Sequence, residues 1–197
     1  MRLVAVTGGM ATGKSTACRL LAETLGCPSC SCDEMVHRML ATEPVIRAVG
    51  ERFPGTVDST GTIDRAKLAD AVFHAPQERR ALEEILHPLV LGGVREWAAA
   101  RQSEARIGVV EVPLLYEVDF PIERDVVLVV ACSEPTQLRR LALRGGGSSR
   151  AKDRLAAQMP ISEKMARSDL VIWNEGSLGT LTRLVALAAS RIHQKTQ

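Results

Sequence analysis

The stretch VTGGMATGKST, Val6 to Thr16, has the residue types and spacing that suit the handling of phosphates. Gly8, Gly13, Lys14 and Ser15 satisfy the pattern G-x-x-x-x-G-K-[S/T]. Glycines let successive backbone N–H groups turn inward around phosphate oxygens, and a helix starting directly after the loop adds the positive end of its dipole. Lys14 places a point charge on the β- and γ-phosphates, and the Ser15 hydroxyl can ligate Mg²⁺. The predicted nucleotide cradle is therefore Gly8, Gly9, Met10, Ala11, Thr12, Gly13, Lys14, Ser15 and Thr16, taking a nucleoside triphosphate with Mg²⁺.

Such a cradle needs a strand to deliver it and a helix to receive it, and both are legible. Arg2 to Val6 is a short β-prone run, and a helix is predicted from about Lys14 to Leu25, stopped by Gly26 and Pro28. A short extended piece is expected over Ser29–Cys32. From Asp33 to about Arg106 nearly everything reads as helix, except the turn-rich FPGTVDSTGTI, Phe53 to Ile63. IGVVEV (Ile107 to Val112), VVLVVA (Val126 to Ala131) and LVIW (Leu170 to Trp173) are short, β-branched and nearly all apolar, as strands are when helices cover both faces of a parallel sheet. Each is expected to be followed by a helix. The predicted fold is α/β, a doubly wound parallel sheet of five strands. The glycine run Gly145 to Ser149 reads as a mobile loop.

Composition narrows the class. A chain of 197 residues, 46% hydrophobic and 24% charged, suits one compact domain that could carry an insertion. A net charge of +2 and an aromatic content of 3% speak against nucleic acid as a partner. No stretch approaches the roughly 18 apolar residues of a spanning helix, and MRLVAVTGG offers no cleavage-site pattern, so a cytoplasmic protein without membrane contact is expected. Five cysteines, an odd number, argue against a disulfide framework. Cys27 and Cys30 form a C-x-x-C with Cys32 close by, but no fourth ligand stands at zinc-site spacing. Small reduced residues around a buried strand are the favoured reading.

A cradle alone does not separate a kinase from a GTPase or a motor ATPase. No N-K-x-D guanine reader is present, and motor ATPases are normally longer, so a small-molecule kinase with helices closing over the acceptor fits best. Further segments then line up in order. They are CDEMVHRML after the second strand, IDRAKLADAVF (Ile63 to Phe73), LEEILHPLV (Leu82 to Val90) and EVPLLYE (Glu111 to Glu117). QLRRLALR (Gln137 to Arg144) and SDLVIWNEG (Ser168 to Gly176) complete the series. Together with the cradle these resemble, across essentially the whole chain, the dephospho-coenzyme A kinase family.

That resemblance implies transfer of a phosphoryl group from ATP, with Mg²⁺, to the ribose 3′-hydroxyl of dephospho-coenzyme A, and no obligate protein partner. It implies one P-loop kinase domain over residues 1–197, with a helical acceptor-binding region at about 33–106 and an arginine-bearing lid at about 140–160. Lys14, Asp33, Arg140 and Arg144 become the expected catalytic residues, Arg140 and Arg144 sharing a helix face at i, i+4. Asn174 is expected beside the adenine. Asp33, His37, Arg65, His87, Pro113, Leu114 and Glu117 are expected to bind the acceptor, and Ser15 and Glu111 to serve the metal. His87 before Pro88 also fits a helix kink with a satisfied histidine. Glu111 in its apolar strand needs a partner, either the metal through water or a neighbouring arginine. Glu117 follows a strand end, where doubly wound sheets place ligands.

Two departures from the family pattern stand out. The D-x-D that follows the second strand is reduced to Ser31 and Asp33, so Asp33 is left to do the carboxylate's work on the acceptor hydroxyl. The lid is one residue shorter and glycine-rich over GGGSSRAK, which raises the ordering entropy of closure and predicts a weak apparent affinity for one substrate; Arg154 stands in for its second arginine. Two rival readings follow: a kinase of the same architecture for a nucleoside monophosphate or shikimate-like acceptor, and a nucleotide-binding module in which Ser31 marks lost catalysis.

Overall fold

The computed structural model describes residues 1–73, 75–143 and 155–195. The chain forms two compact units, Met1–Ser31 with Ala98–Gln197, and Cys32–Trp97.

The first unit contains all five strands: β1 (Arg2–Gly8), β2 (Ser29–Ser31), β3 (Ile107–Glu111), β4 (Val126–Ala131) and β5 (Leu170–Trp173). They lie in the order β2-β3-β1-β4-β5, and every pairing is parallel. The sheet is thus the one its apolar strands predict. β4 is buried along its whole length and β1 from Leu3 onward, because crossover helices flank a parallel sheet on its faces. α1 (Lys14–Leu25) follows β1. α6 (Glu134–Leu143), α7 (Ile161–Ala166) and α8 (Leu178–Lys195) complete the unit. Leu21 of α1 and Val185 and Ile192 of α8 pack with Val4, Val6, Leu128 and Val130 in one core with no exposed member.

Register decides what meets at the strand ends. Gly8 of β1 lies opposite Val130, Val6 opposite Glu111, and Glu111 opposite Ser31 on β2. The C-terminal ends of the central strands therefore gather the glycine loop, Glu111 and Ser31 at one edge, where open α/β sheets bind ligands.

β3 departs from the expected alternation. It runs not into a helix but into turns over residues 113–119, with Asp119 at φ 44°. Pro113 and Pro121 bracket too short a segment for a stable helix, and the turn closes instead through Phe120 N–H donating to the Leu115 carbonyl at 3.0 Å.

The second unit is helical: α2 (Cys32–Met39), α3 (Glu43–Arg52), α4 (Arg65–Phe73) and most of α5 (Pro76–Arg101), which ends in the first unit and runs unbroken through Pro88. Val45, Val49, Phe53, Ile63, Leu68 and Leu86 form its core. The predicted Phe53–Ile63 loop is a tight turn. Asp58 Oδ1 accepts from the Thr60 hydroxyl at 2.6 Å and from the Thr62 and Thr60 amides at 3.0 and 2.8 Å, and these bonds, the hydroxyl's first, hold its carboxyl below the ordinary carboxylate range.

Candidate active site

Two glycines explain how the loop leaves β1 and enters α1. A Cβ on Gly8 would stand 2.1 Å from the Val130 carbonyl oxygen, so only glycine lets the loop start pressed against β4. Gly13 adopts a left-handed conformation (φ 95°, ψ 22°), and a Cβ there would meet the Asn174 amide at 2.5 Å.

Between these glycines the backbone is oriented from outside. Gln137 Nε2 donates to the Met10 carbonyl at 2.7 Å. Arg140 Nη1 donates to the Ala11 and Thr12 carbonyls at 3.3 Å each, and Asn174 Nδ2 to the Thr12 carbonyl at 2.8 Å. In a planar trans peptide the carbonyl and the next residue's N–H point in opposite directions. Fixing these three carbonyls outward therefore aims the N–H groups of Ala11, Thr12 and Gly13 the other way, into the concavity of the loop. That is an anion-binding nest at a helix N-terminus. Lys14 Nζ lies on the Gly9 carbonyl at 2.8 Å, within the loop that its charge serves.

Ser15 Oγ donates to Glu111 Oε1 at 2.8 Å, and Glu111 is 7% exposed. The carboxylate that the sequence left between metal and arginine thus has the Ser15 hydroxyl as a direct partner. A hydroxyl beside a carboxylate oxygen is the hard, oxygen-only donor set that suits Mg²⁺, which keeps waters and takes phosphate oxygens as its remaining ligands. Among the described residues no cluster of three or more His, Cys, Asp or Glu forms a self-sufficient metal site. Burial pushes the Cys27 thiol up to about 11.

At two of the expected site residues the geometry shows partners within the protein. Asn174 is 5% exposed, and its amide nitrogen is bound to Thr12. Its backbone N–H donates to the Ala131 carbonyl at 2.7 Å, and its own carbonyl accepts from Arg140 Nη2 at 2.9 Å. It braces the loop from behind, with its amide nitrogen and both of its backbone polar groups bonded within the protein. Glu117, expected to face the acceptor, turns to the fully buried Lys164, its Oε1 at 2.5 Å from Nζ, and also accepts from the Met159 N–H at 3.3 Å. Arg140, expected to clamp the moving phosphoryl group, donates from Nη1 to the Ala11 and Thr12 carbonyls and from Nη2 to the Asn174 carbonyl, and its guanidinium carries five N–H donors in all. Arg144, Arg154 and the glycine run lie outside the described residues.

In the second unit Asp33 is exposed in the first turn of α2, one helical turn before His37. Arg65 grips His37 twice: Nη2 donates to its carbonyl at 3.0 Å and Nη1 to Nδ1, which makes Nδ1 the acceptor and puts the ring proton on Nε2. His87 is half-buried on α5, Pro113 is half-buried, and Leu114 is 41% exposed in the turn after β3.

Sequence reasoning missed three residues. Gln137 lies three positions before Arg140 on the same helix face, a spacing that could have flagged it. Gln158, whose Oε1 accepts from Met10 N–H at 2.9 Å, and Lys164, whose Nζ donates to the Gly8 carbonyl at 3.3 Å, gave no signal, since both read as solvated polar residues.

A five-stranded parallel sheet with this cradle at the end of its central strand defines a P-loop phosphotransferase. The family model for dephospho-CoA kinase matches residues 2–180. A dephospho-CoA kinase of Syntrophotalea carbinolica is 37% identical over 96% of this chain and 92% of its own, and that of Symbiobacterium thermophilum 41% over 90% and 76%. The solved Thermus thermophilus protein TT1252 is 33% identical and superposes with a TM-score of 0.83, covering 98% of this chain and 97% of its own. The chain belongs to the dephospho-CoA kinase family.

Proposed function

We propose that this protein transfers the γ-phosphoryl group of ATP to the ribose 3′-hydroxyl of dephospho-coenzyme A, giving coenzyme A and ADP. The observation that carries the reading is a family match over nearly the whole chain on top of an intact cradle. In the reaction the 3′-oxygen forms a bond to the γ-phosphorus as the bond to the β-phosphate oxygen breaks, and the hydroxyl proton must leave. Phosphoryl transfer of this loose kind draws on positioning and charge neutralisation more than on covalent help.

Each role belongs to the same proposal. The inward N–H groups of Ala11, Thr12 and Gly13, with Lys14, hold the phosphates, and the Arg140 guanidinium stabilises charge on the transferring group. Ser15 and Glu111 would hold Mg²⁺, which would supply charge neutralisation to the phosphates. Asp33 orients the acceptor hydroxyl and receives its proton, the residue at the other D-x-D position being Ser31. His37, held as the Nε2–H form by Arg65, offers one donor to the acceptor, and the family resemblance assigns acceptor contacts to His87 of the second unit and, separately, to Pro113 and Leu114 of the first. No helix among the described residues is long and apolar enough to cross a membrane, and action on a soluble precursor in the cytoplasm is part of the proposal.

The test is ADP release from Mg-ATP with dephospho-coenzyme A, nucleoside monophosphates or shikimate as acceptor, with product mass measured in the same run. Release with dephospho-coenzyme A alone, and a product heavier by one phosphoryl group, is expected. Release with another acceptor would overturn the assignment, and nucleotide binding without release would favour the binding module.

A further inference from the structure

The largest fully buried side chain among the described residues is not an apolar one but Lys164, on α7. A lysine removed from water needs strong partners, and this one has two: the Glu117 carboxylate at 2.5 Å and the Gly8 carbonyl at 3.3 Å. Gly8 is where β1 becomes the cradle. Holding its carbonyl fixes the Gly8–Gly9 peptide plane, the first of the loop, by the same opposition of C=O and N–H that orients the next planes through Gln137, Arg140 and Asn174. Glu117 in turn accepts from Met159 N–H, and the adjacent Gln158 accepts from Met10 N–H. Among the described residues the second oxygen of Glu117 is buried and without a hydrogen-bond partner, and Lys164 is the cation paired with this carboxylate.

We propose that Lys164 is a positioning residue for nucleotide binding. Its charge, carried by Glu117, holds the first peptide of the cradle in the phosphate-ready orientation, so that removing the charge weakens nucleotide affinity rather than the chemical step. The inference deepens the nucleotide-binding reading above and rests on it.

The experiment measures binding of ADP and ATP by calorimetry, alongside Tm, for the wild type, Lys164→Met, and Lys164→Met combined with Glu117→Gln. The single variant strands a buried carboxylate and is expected to lower Tm sharply. The double variant removes that stranded charge while leaving an oxygen for Met159 N–H, and is expected to recover most of the Tm. Nucleotide affinity is expected to fall about tenfold or more in both, since a hydrogen bond from a charged group is lost, and to stay low in the double variant. Affinity that returns with Tm would reduce Lys164 to a structural residue and overturn the proposal, as would affinity within about twofold of wild type in either variant. A wild type that binds no nucleotide would instead overturn the reading on which the proposal rests.

Discussion

Gly8→Ala is the most stringent perturbation of the cradle, because its clash is with backbone. The new Cβ would lie 2.1 Å from the Val130 oxygen and must retreat by about 0.9 Å to reach even the 3.0 Å that real contacts hardly undercut. Val130 cannot yield: it is fully buried on β4, between β1 and β5. The loop must move instead, and with it the inward N–H groups and the long Lys164 bond. Overpacking of this kind costs about 1–3 kcal/mol, or roughly 3–10 °C in Tm for a chain of this size. A displacement of about 1 Å in a positioning element costs about 10²-fold in rate. Coupled ADP release with dephospho-coenzyme A reads the activity, and a thermal melt reads the stability. Gly92→Ala is the control: Gly92 lies in α5 with nothing within 4 Å of a new Cβ, so alanine there is expected to stabilise by about 0.5–1 kcal/mol. Wild-type kcat/KM and Tm in Gly8→Ala would refute the claim that the strand–loop junction is rigid.

Asp33→Asn is expected to lower kcat by about 10²-fold or more while ADP affinity, read by calorimetry, stays near wild type; near-normal turnover would remove Asp33 from the mechanism. Asp169 accepts from Lys195 Nζ and Val127 N–H, each at 2.8 Å, and these bonds hold its carboxyl below the ordinary 3.8. A depressed folded value means that the contribution to stability is complete above 3.8 and disappears as pH falls through the lowered value. The Tm deficit of Asp169→Asn should therefore be constant near neutral pH and close only in acid; a deficit unchanged in acid would contradict this origin. Cys27, with its thiol raised to about 11, is expected to react with iodoacetamide at pH 7.5 far more slowly than free cysteine, and a zinc chelator should leave Tm unchanged; fast labelling or a chelator-induced drop would revive a role for the C-x-x-C.

Much of the molecule is legible in one dimension because two of its signals are local. A parallel strand covered by helices is apolar on both faces, so Val126–Ala131 announces itself as an unbroken run and Ile107–Val110 nearly so, while the edge strand Leu170–Trp173 is apolar although Val171 and Trp173 are exposed. The cradle needs glycines, lysine and a hydroxyl at fixed offsets, because its geometry is made by consecutive residues. The turn after β3 escaped, since VPLLYE has helical composition and only its closure onto Leu115 shows otherwise.

By itself the sequence determined the sheet, the helices around it, the phosphate loop and, through segments in matching order, the family. It could do so because each of these depends on residues close together in the chain. Which side chains hold the loop's carbonyls outward was decided by the tertiary structure alone. Gln137, Arg140, Lys164 and Asn174 lie 127 or more residues from the loop atoms they touch. No spacing rule reaches across such a gap; only the parallel register of β1 and β4, and the helices that pack on them, bring these donors to the loop.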